Sequence, residues 1–173
     1  MNFTHRLRAL DRPVFYLVLI ALLGLVAYSN TFDVPFQWDE KEFIVNNPVV
    51  KDLSHFRNPF KTDSPHLKNR YIGYLTFALN YRLHGLDVKG YHVVNIAIHF
   101  LNALLVYFLV LLTFRTPFLN PPSPPFAKGG RLNGNLIALF SALLFVSHPV
   151  QTEAVTYIFQ RLASTLPPKT GPL

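Results

Sequence analysis

The chain has 173 residues, with 16 Lys and Arg against 9 Asp and Glu, a formal net charge of +7 and no Cys. That length suffices for one modest domain, and the lack of Cys excludes disulfides, thiolate catalysis and Cys-based metal sites. A basic balance suits nucleic acid or an anionic lipid surface, but no Lys/Arg run of the nucleic-acid type occurs, so nucleic acid is not an expected partner.

Half of the residues are hydrophobic, a share that soluble domains approach, so their distribution carries the information. They form three blocks with the charges between them. The first, residues 13–29, contains no charge and just meets the roughly 17–25 apolar residues that a spanning helix needs. Tyr16 and Tyr28 near its ends suit the membrane interface. Read instead as a cleaved leader, it would have Arg6, Arg8 and Arg12 in front and a cut near Ala27; the apolar stretch is long for that, which favours an anchor.

Residues 30–90 follow as a long polar stretch, nearly balanced in charge. It opens NTFDVPFQWDE, ending on the adjacent carboxylates Asp39 and Glu40 about ten residues beyond the first apolar block. Trp38 and Phe36 beside them suit docking on the interface. A carboxylate held there at low dielectric has a raised pKa and can act as a general base. Such a pair is also a common helix start, and Asn46, Asn47 and Pro48 then break the chain. Residues 70–84 carry Ile72, Leu75, Leu79 and Leu83 with Tyr71, Tyr74 and Tyr81 beside them, which predicts an amphipathic helix stopped by Gly85, interfacial or packed on a bundle.

The second spanning helix is expected over residues 91–114. It carries His92, Asn95, His99 and Asn102, at offsets of three, seven and ten from the first, which predicts one polar helical face turned into a bundle or cavity. Interhelical hydrogen bonding is the expected use of this stripe; two His seven apart lack a third metal ligand of matching spacing. Residues 115–133 form a Pro-rich connection, with NPPSPPFAKGG at 120–130 reading as an extended spacer. The third apolar block, residues 134–149, reaches spanning length only with its flanks, and Pro149 ends or kinks it. The tail (Arg6, Arg8, Arg12) and the connection (Arg115, Lys128, Arg131) are basic, which places both in the cytoplasm and residues 30–90 outside. An interfacial helix is expected over 150–165, with Glu153, Tyr157 and Arg161 at four-residue intervals on one face. Arg161 suits phosphate or a snorkelling position equally. Residues 166–173 read as an irregular tail, and 1–12 as a cytoplasmic one.

Three ordered blocks, NTFDVPFQWDE at 30–40, LTFALNYRLHGLDVKGYH at 75–92 and HPVQTEAVTYIFQR at 148–161, resemble the N-terminal part of the multi-pass glycosyltransferases with C-terminal tetratricopeptide repeats. Those enzymes are similar to protein O-mannosyltransferases and share their all-α membrane fold, called GT-C. The resemblance implies a polyprenyl-phosphate sugar donor and an acceptor hydroxyl, on a protein or another molecule, at the outer face of the lipid bilayer. It implies Asp39 as the base that deprotonates the acceptor and Glu40 as its support. Arg161 and His148 are inferred beside the donor phosphate from charge and position. The resemblance requires no cofactor and leaves a divalent metal open. The chain leaves the pattern near Thr165 and contains no tetratricopeptide period. It therefore reads as a truncated glycosyltransferase, all-α with about three spanning helices and without turnover alone. The alternative is a non-catalytic membrane scaffold; a transporter piece is disfavoured because no inverted repeat or broken mid-membrane helix occurs.

Overall fold

A computed structural model describes residues 13–58, 67, 70–116 and 133–163, and every regular element among them is helical. Four longer helices carry the fold, α1 Pro13–Ala27, α3 Tyr71–His84, α4 Val88–Arg115 and α5 Gly134–Ser147, with the four-residue α2 Pro48–Lys51 ahead of α3. Two short helices follow, α6 Gln151–Thr156 and α7 Gln160–Ala163. The chain divides into two compact units, one within Met1–Ser29 and Ala97–Gln151, the other within Asn30–Ile96 and Thr152–Leu173. The basic tail, the Pro-rich connection with Lys128 and Arg131, and the final tail lie outside the described residues, so the orientation expected from them is not addressed by the fold.

The first unit is a three-helix packing of α1, the later turns of α4, and α5. Tyr16 meets Tyr107 edge to face, while Gly24 lies against Phe100 and Val146. Gly134 at the start of α5 lies against Phe114 near the end of α4. These pairs set α1 and α5 parallel to each other and antiparallel to α4. A Cβ on Gly24 would run into the Phe100 ring, so a residue without a side chain permits this close approach. Inside, Tyr16, Ile20, Ala103, Ala138 and Ala142 are buried. His99 stands between Tyr28 and Phe145, and its Nε2–H donates to the Val146 carbonyl at 3.2 Å, satisfying one of the last-turn carbonyls that α5 cannot pair itself.

The outside of this unit is apolar as well. Val18, Leu22, Leu105, Leu109, Phe140 and Leu144 are exposed, and residues 13–29, 97–114 and 134–147 contain no Lys, Arg, Asp or Glu. In water such faces would be costly. Of these helices, only α4, with 28 residues, is long and apolar enough to cross a membrane; α1 and α5 are shorter apolar helices. At 1.5 Å per residue α4 reaches about 42 Å, beyond a hydrocarbon core of roughly 30 Å.

The second unit has its own core, in which Ile44, Val50, Tyr74, Phe77, Tyr91 and Ile158 are buried together. Local signals explain its turns. Asn47 caps α2 by accepting the Val49 N–H at 3.0 Å, with Pro48 at the first helical position, where its missing N–H costs nothing. Helix α3 ends on Gly85, whose φ of 60° suits a residue without a Cβ. A Cβ on Gly73 would collide with Leu162, so this glycine lets α3 and the segment around α7 approach closely.

Three sequence expectations are corrected. First, residues 150–161 do not form one helix. The chain stops being helical at Tyr157–Phe159 between α6 and α7, because the Phe159 N–H is taken by a Glu40 carboxylate oxygen at 3.1 Å rather than by the helix ladder. Glu153, Tyr157 and Arg161 therefore share no continuous helical face. Second, His92, Asn95 and His99 are buried but Asn102 is exposed. The buried stripe continues through Ala103, Tyr107 and Leu111, and Asn102 stands one residue, about 100°, off that line. Third, Phe36 packs on the second unit's core and meets Tyr91 edge to face at 5.2 Å; Trp38 alone of the two aromatic neighbours is fully outward, 85 % exposed.

Candidate functional site

The acidic pair sits on a turn whose geometry follows from the side chain of Glu40. The Glu40 N–H donates to the Gln37 carbonyl at 2.8 Å, and Glu40 Oε2 accepts the Gln37 N–H at 2.8 Å in return. This reciprocal closure leaves Trp38 at a φ of 37°, a left-handed backbone that a bulky residue adopts only when its surroundings hold it there. Beyond the pair, residues Lys41–Val45 form a π-type turn, a geometry that recurs at functional sites.

The two carboxylates have opposite surroundings. Glu40 is 1 % exposed, and its two oxygens accept the Gln37 and Phe159 N–H groups. Burial raises its pKa above the ordinary carboxyl value; the backbone donors of Gln37, Phe159 and Ile158 and the nearby His92 oppose that shift. Asp39, one residue away, is exposed. An open cleft of about 290 Å³ lies beside the turn, lined by Gln37, Glu40, Thr152, Glu153, Thr156 and Tyr157. The Tyr157 phenol is shifted up by burial first, then by the Asp39 and Glu40 charges and a hydrogen bond with Asp39. The Thr31 and Thr156 hydroxyls meet at 3.2 Å, which ties the start of the acidic loop to α6.

The shift of Glu40 has a stability consequence with a definite sign. A carboxyl with a higher pKa in the folded state binds its proton more tightly there than in the unfolded chain. Its favourable contribution is complete below the ordinary value of 4.5 and is lost as pH rises through the folded value. The stability of the wild type in mixed micelles is therefore expected to fall, relative to Glu40→Gln, as pH is raised from 4.5 towards neutrality. A difference that grows in the wild type's favour over that range would contradict the assignment.

The other sequence-selected residues fall in several places. His92 directs Nε2 to the Val34 carbonyl at 2.9 Å, holding the loop just ahead of the acidic turn; its Nδ1 is buried without a hydrogen-bond partner among the described residues. Asn95 donates to the Val155 carbonyl at 3.1 Å and accepts from Arg161. His99 belongs to the first unit, as does His148, whose Nδ1 accepts the Val150 N–H at 3.2 Å just past the end of α5. Arg161 has five N–H donors, and all are engaged within the second unit, by Asn95, Asn80, Thr76 and the Tyr91 carbonyl. Its guanidinium also lies over Phe77 at 4.8 Å, and burial lowers its pKa to about 10. Among the described residues no group of three or more His, Asp or Glu stands together to hold a metal ion.

The acidic turn and the Tyr157 region, far apart in sequence, thus meet in one cleft. Gln37, Thr152 and Thr156 carry no site signal in the sequence, and Tyr157 enters there only through its four-residue spacing to Glu153 and Arg161. Their membership follows from the 119-residue reach between Glu40 and Phe159, which no local pattern announces.

No family model matches the chain, and no solved structure matches it. A protein O-mannosyl-transferase of Caenorhabditis elegans is 32 % identical over 155 residues, 84 % of this chain and 20 % of that protein. Protein O-mannosyl-transferase TMTC4 of Homo sapiens is 30 % identical over 161 residues, 86 % of this chain and 21 % of its own length. Protein O-mannosyl-transferase Tmtc3 of Drosophila melanogaster is 31 % identical over 163 residues, covering 87 % and 18 % respectively. The chain spans about a fifth of the length of these curated relatives.

Proposed function

Because this chain is related over most of its length to proteins named protein O-mannosyl-transferases, we propose that it carries the acceptor-activating part of a membrane glycosyltransferase. The reaction moves a mannose-like sugar from a polyprenyl-phosphate donor to a hydroxyl of a protein acceptor. Asp39 takes the proton of that hydroxyl. The oxygen bonds to the anomeric carbon, the bond from that carbon to the phosphate oxygen breaks, and the electron pair leaves with the lipid phosphate, so the configuration inverts. Glu40 holds the turn from which Asp39 projects.

The observation that carries this reading is the division of labour between adjacent carboxylates. Glu40 is buried with both oxygens committed to backbone N–H groups, while Asp39 is exposed and its charge is felt by Tyr157, which lines the cleft. A base needs an oxygen that is not already committed: Glu40 lines the cleft but gives both oxygens to the backbone, whereas Asp39 stands exposed beside it. The membrane half of the proposal draws on the first unit, whose outward faces are apolar and uncharged. In a bilayer those faces meet lipid; with α1 and α5 crossing alongside α4 by recruiting flanking residues, residues 30–90 and 150–163 lie on the same side, in keeping with the Thr31–Thr156 contact.

The test is a graft of this chain in place of the matched segment of the human relative. The graft is reconstituted in proteoliposomes with a mannosyl polyprenyl phosphate and a Ser/Thr-containing peptide. Donor-dependent transfer of mannose to the peptide is expected. A graft that folds and binds the donor but transfers nothing would overturn the proposal.

A further inference from the structure

Arg161 is the most heavily bonded side chain of the second unit. Its Nε donates to Asn95 Oδ1 at 2.8 Å. One Nη donates to Asn80 Oδ1 at 2.9 Å and to Thr76 Oγ1 at 3.3 Å. The other donates to the Tyr91 carbonyl at 3.1 Å and to Asn95 Oδ1. Both asparagines are fixed in turn: Asn80 Nδ2 donates to the Gly90 carbonyl and Asn95 Nδ2 to the Val155 carbonyl, each at 3.1 Å. A fork geometry with every donor used is rigid, and it leaves no donor for an incoming phosphate.

The position of this knot in the chain gives it a consequence. Asn95 grips residue 155 through its amide and residue 161 through its carbonyl oxygen, one on each side of the non-helical break at 157–159. Within that break, Phe159 presents its N–H to Glu40, and Tyr157 lines the cleft. Within the break, Ile158 is buried and Phe159 stacks on Phe43, and the two anchors fix the chain on either side of these contacts, so together they set where the Phe159 N–H points. Glu40, bound at its other oxygen to Gln37, then transmits the position of the break to the turn bearing Asp39.

We propose that Arg161 is a positioning residue: clamped by Asn80 and Asn95, it fixes the 157–159 break so that Phe159 holds Glu40, and Glu40 holds the turn that presents Asp39. The role in catalysis rests on the proposed sugar transfer; the mechanical link does not. It differs from the donor-phosphate role inferred from sequence, and the two give opposite kinetic signatures.

The mechanical link is tested by hydrogen exchange on the full chain in nanodiscs. Arg161→Lys keeps the charge but not the fork, and is expected to speed exchange of the Gln37 and Phe159 amides at least tenfold while amides in the middle of α4 stay protected. Asn95→Leu, which leaves Arg161 in place but removes its double acceptor, is expected to do the same. Unchanged exchange at Gln37 in both variants would overturn the proposal. In the graft, Arg161→Lys is expected to lower kcat at least tenfold with an unchanged KM for the donor. A tenfold rise in donor KM at unchanged kcat would return Arg161 to the phosphate and overturn the positioning role. A wild-type graft without transfer would remove the glycosyltransfer reading, and the exchange experiment would still decide whether Arg161 holds the acidic turn.

Discussion

Asp39→Asn in the graft is expected to lower the rate of sugar transfer by about 10²–10⁴-fold, the usual contribution of a positioned general base. The amide is nearly the same size, but it cannot take the acceptor proton. Because Asp39 is exposed, the change should leave stability within about 0.5 kcal/mol, as surface substitutions do. That pairing of a large kinetic effect with a small thermodynamic one separates Asp39 from Glu40, whose replacement disturbs two backbone hydrogen bonds. Donor binding should be unaffected, since the proton leaves the acceptor and not the donor. Transfer rates within threefold of wild type in Asp39→Asn would remove this carboxylate from the mechanism.

Arg161→Leu is expected to destabilise the chain by about 3–5 kcal/mol, because it strands several buried acceptors at about 1–3 kcal/mol each. The acceptors are Oδ1 of Asn80, Oδ1 of Asn95 and the Tyr91 carbonyl. Asn80 and Asn95 are both nearly inaccessible, so water does not replace the lost donors. A contrast within the same unit is Lys89→Ala, which breaks the Lys89–Asp33 ion pair at 3.2 Å. Its side chains are 62 % and 82 % exposed, and exposed pairs contribute about 0–1 kcal/mol. Denaturant titration in mixed micelles should rank the two variants in that order. A loss below about 1 kcal/mol for Arg161→Leu would mean that the stranded acceptors find other donors.

Much of the architecture is legible locally. The charge-free run at 13–29, the apolar face of residues 70–84 and the glycine after it are periodic or positional signals that survive without tertiary information. The polar stripe on α4 is legible for His92, Asn95 and His99 because they fall on the face that the rest of the molecule covers. Asn102 shares their approximate spacing but not that face, since the buried line runs on through Ala103, one residue and about 100° away. The break at 157–159 is invisible in sequence. Residues 150–161 have helical composition, and two distant side chains interrupt the ladder: Glu40 takes the Phe159 N–H and Asn95 takes the Val155 carbonyl that this N–H would otherwise meet. The same interruption explains why the cleft could not be read in advance: Tyr157 and Thr156 reach Glu40 through tertiary packing, not spacing. Arg161 suits phosphate or a snorkelling position equally in sequence; the acceptors it meets in the fold lie 66 to 85 residues away, beyond the reach of any local pattern.

The proposed topology requires that the acidic turn and the Tyr157 segment face the same aqueous compartment, opposite the cytoplasm. The chain's lack of Cys makes this directly measurable with single cysteines at positions 38 and 153, both exposed. In sealed vesicles with the extracytoplasmic face outward, a membrane-impermeant maleimide should label Trp38→Cys and Glu153→Cys to completion without detergent. Labelling of both only after permeabilisation, or of one before and the other after, would contradict the account.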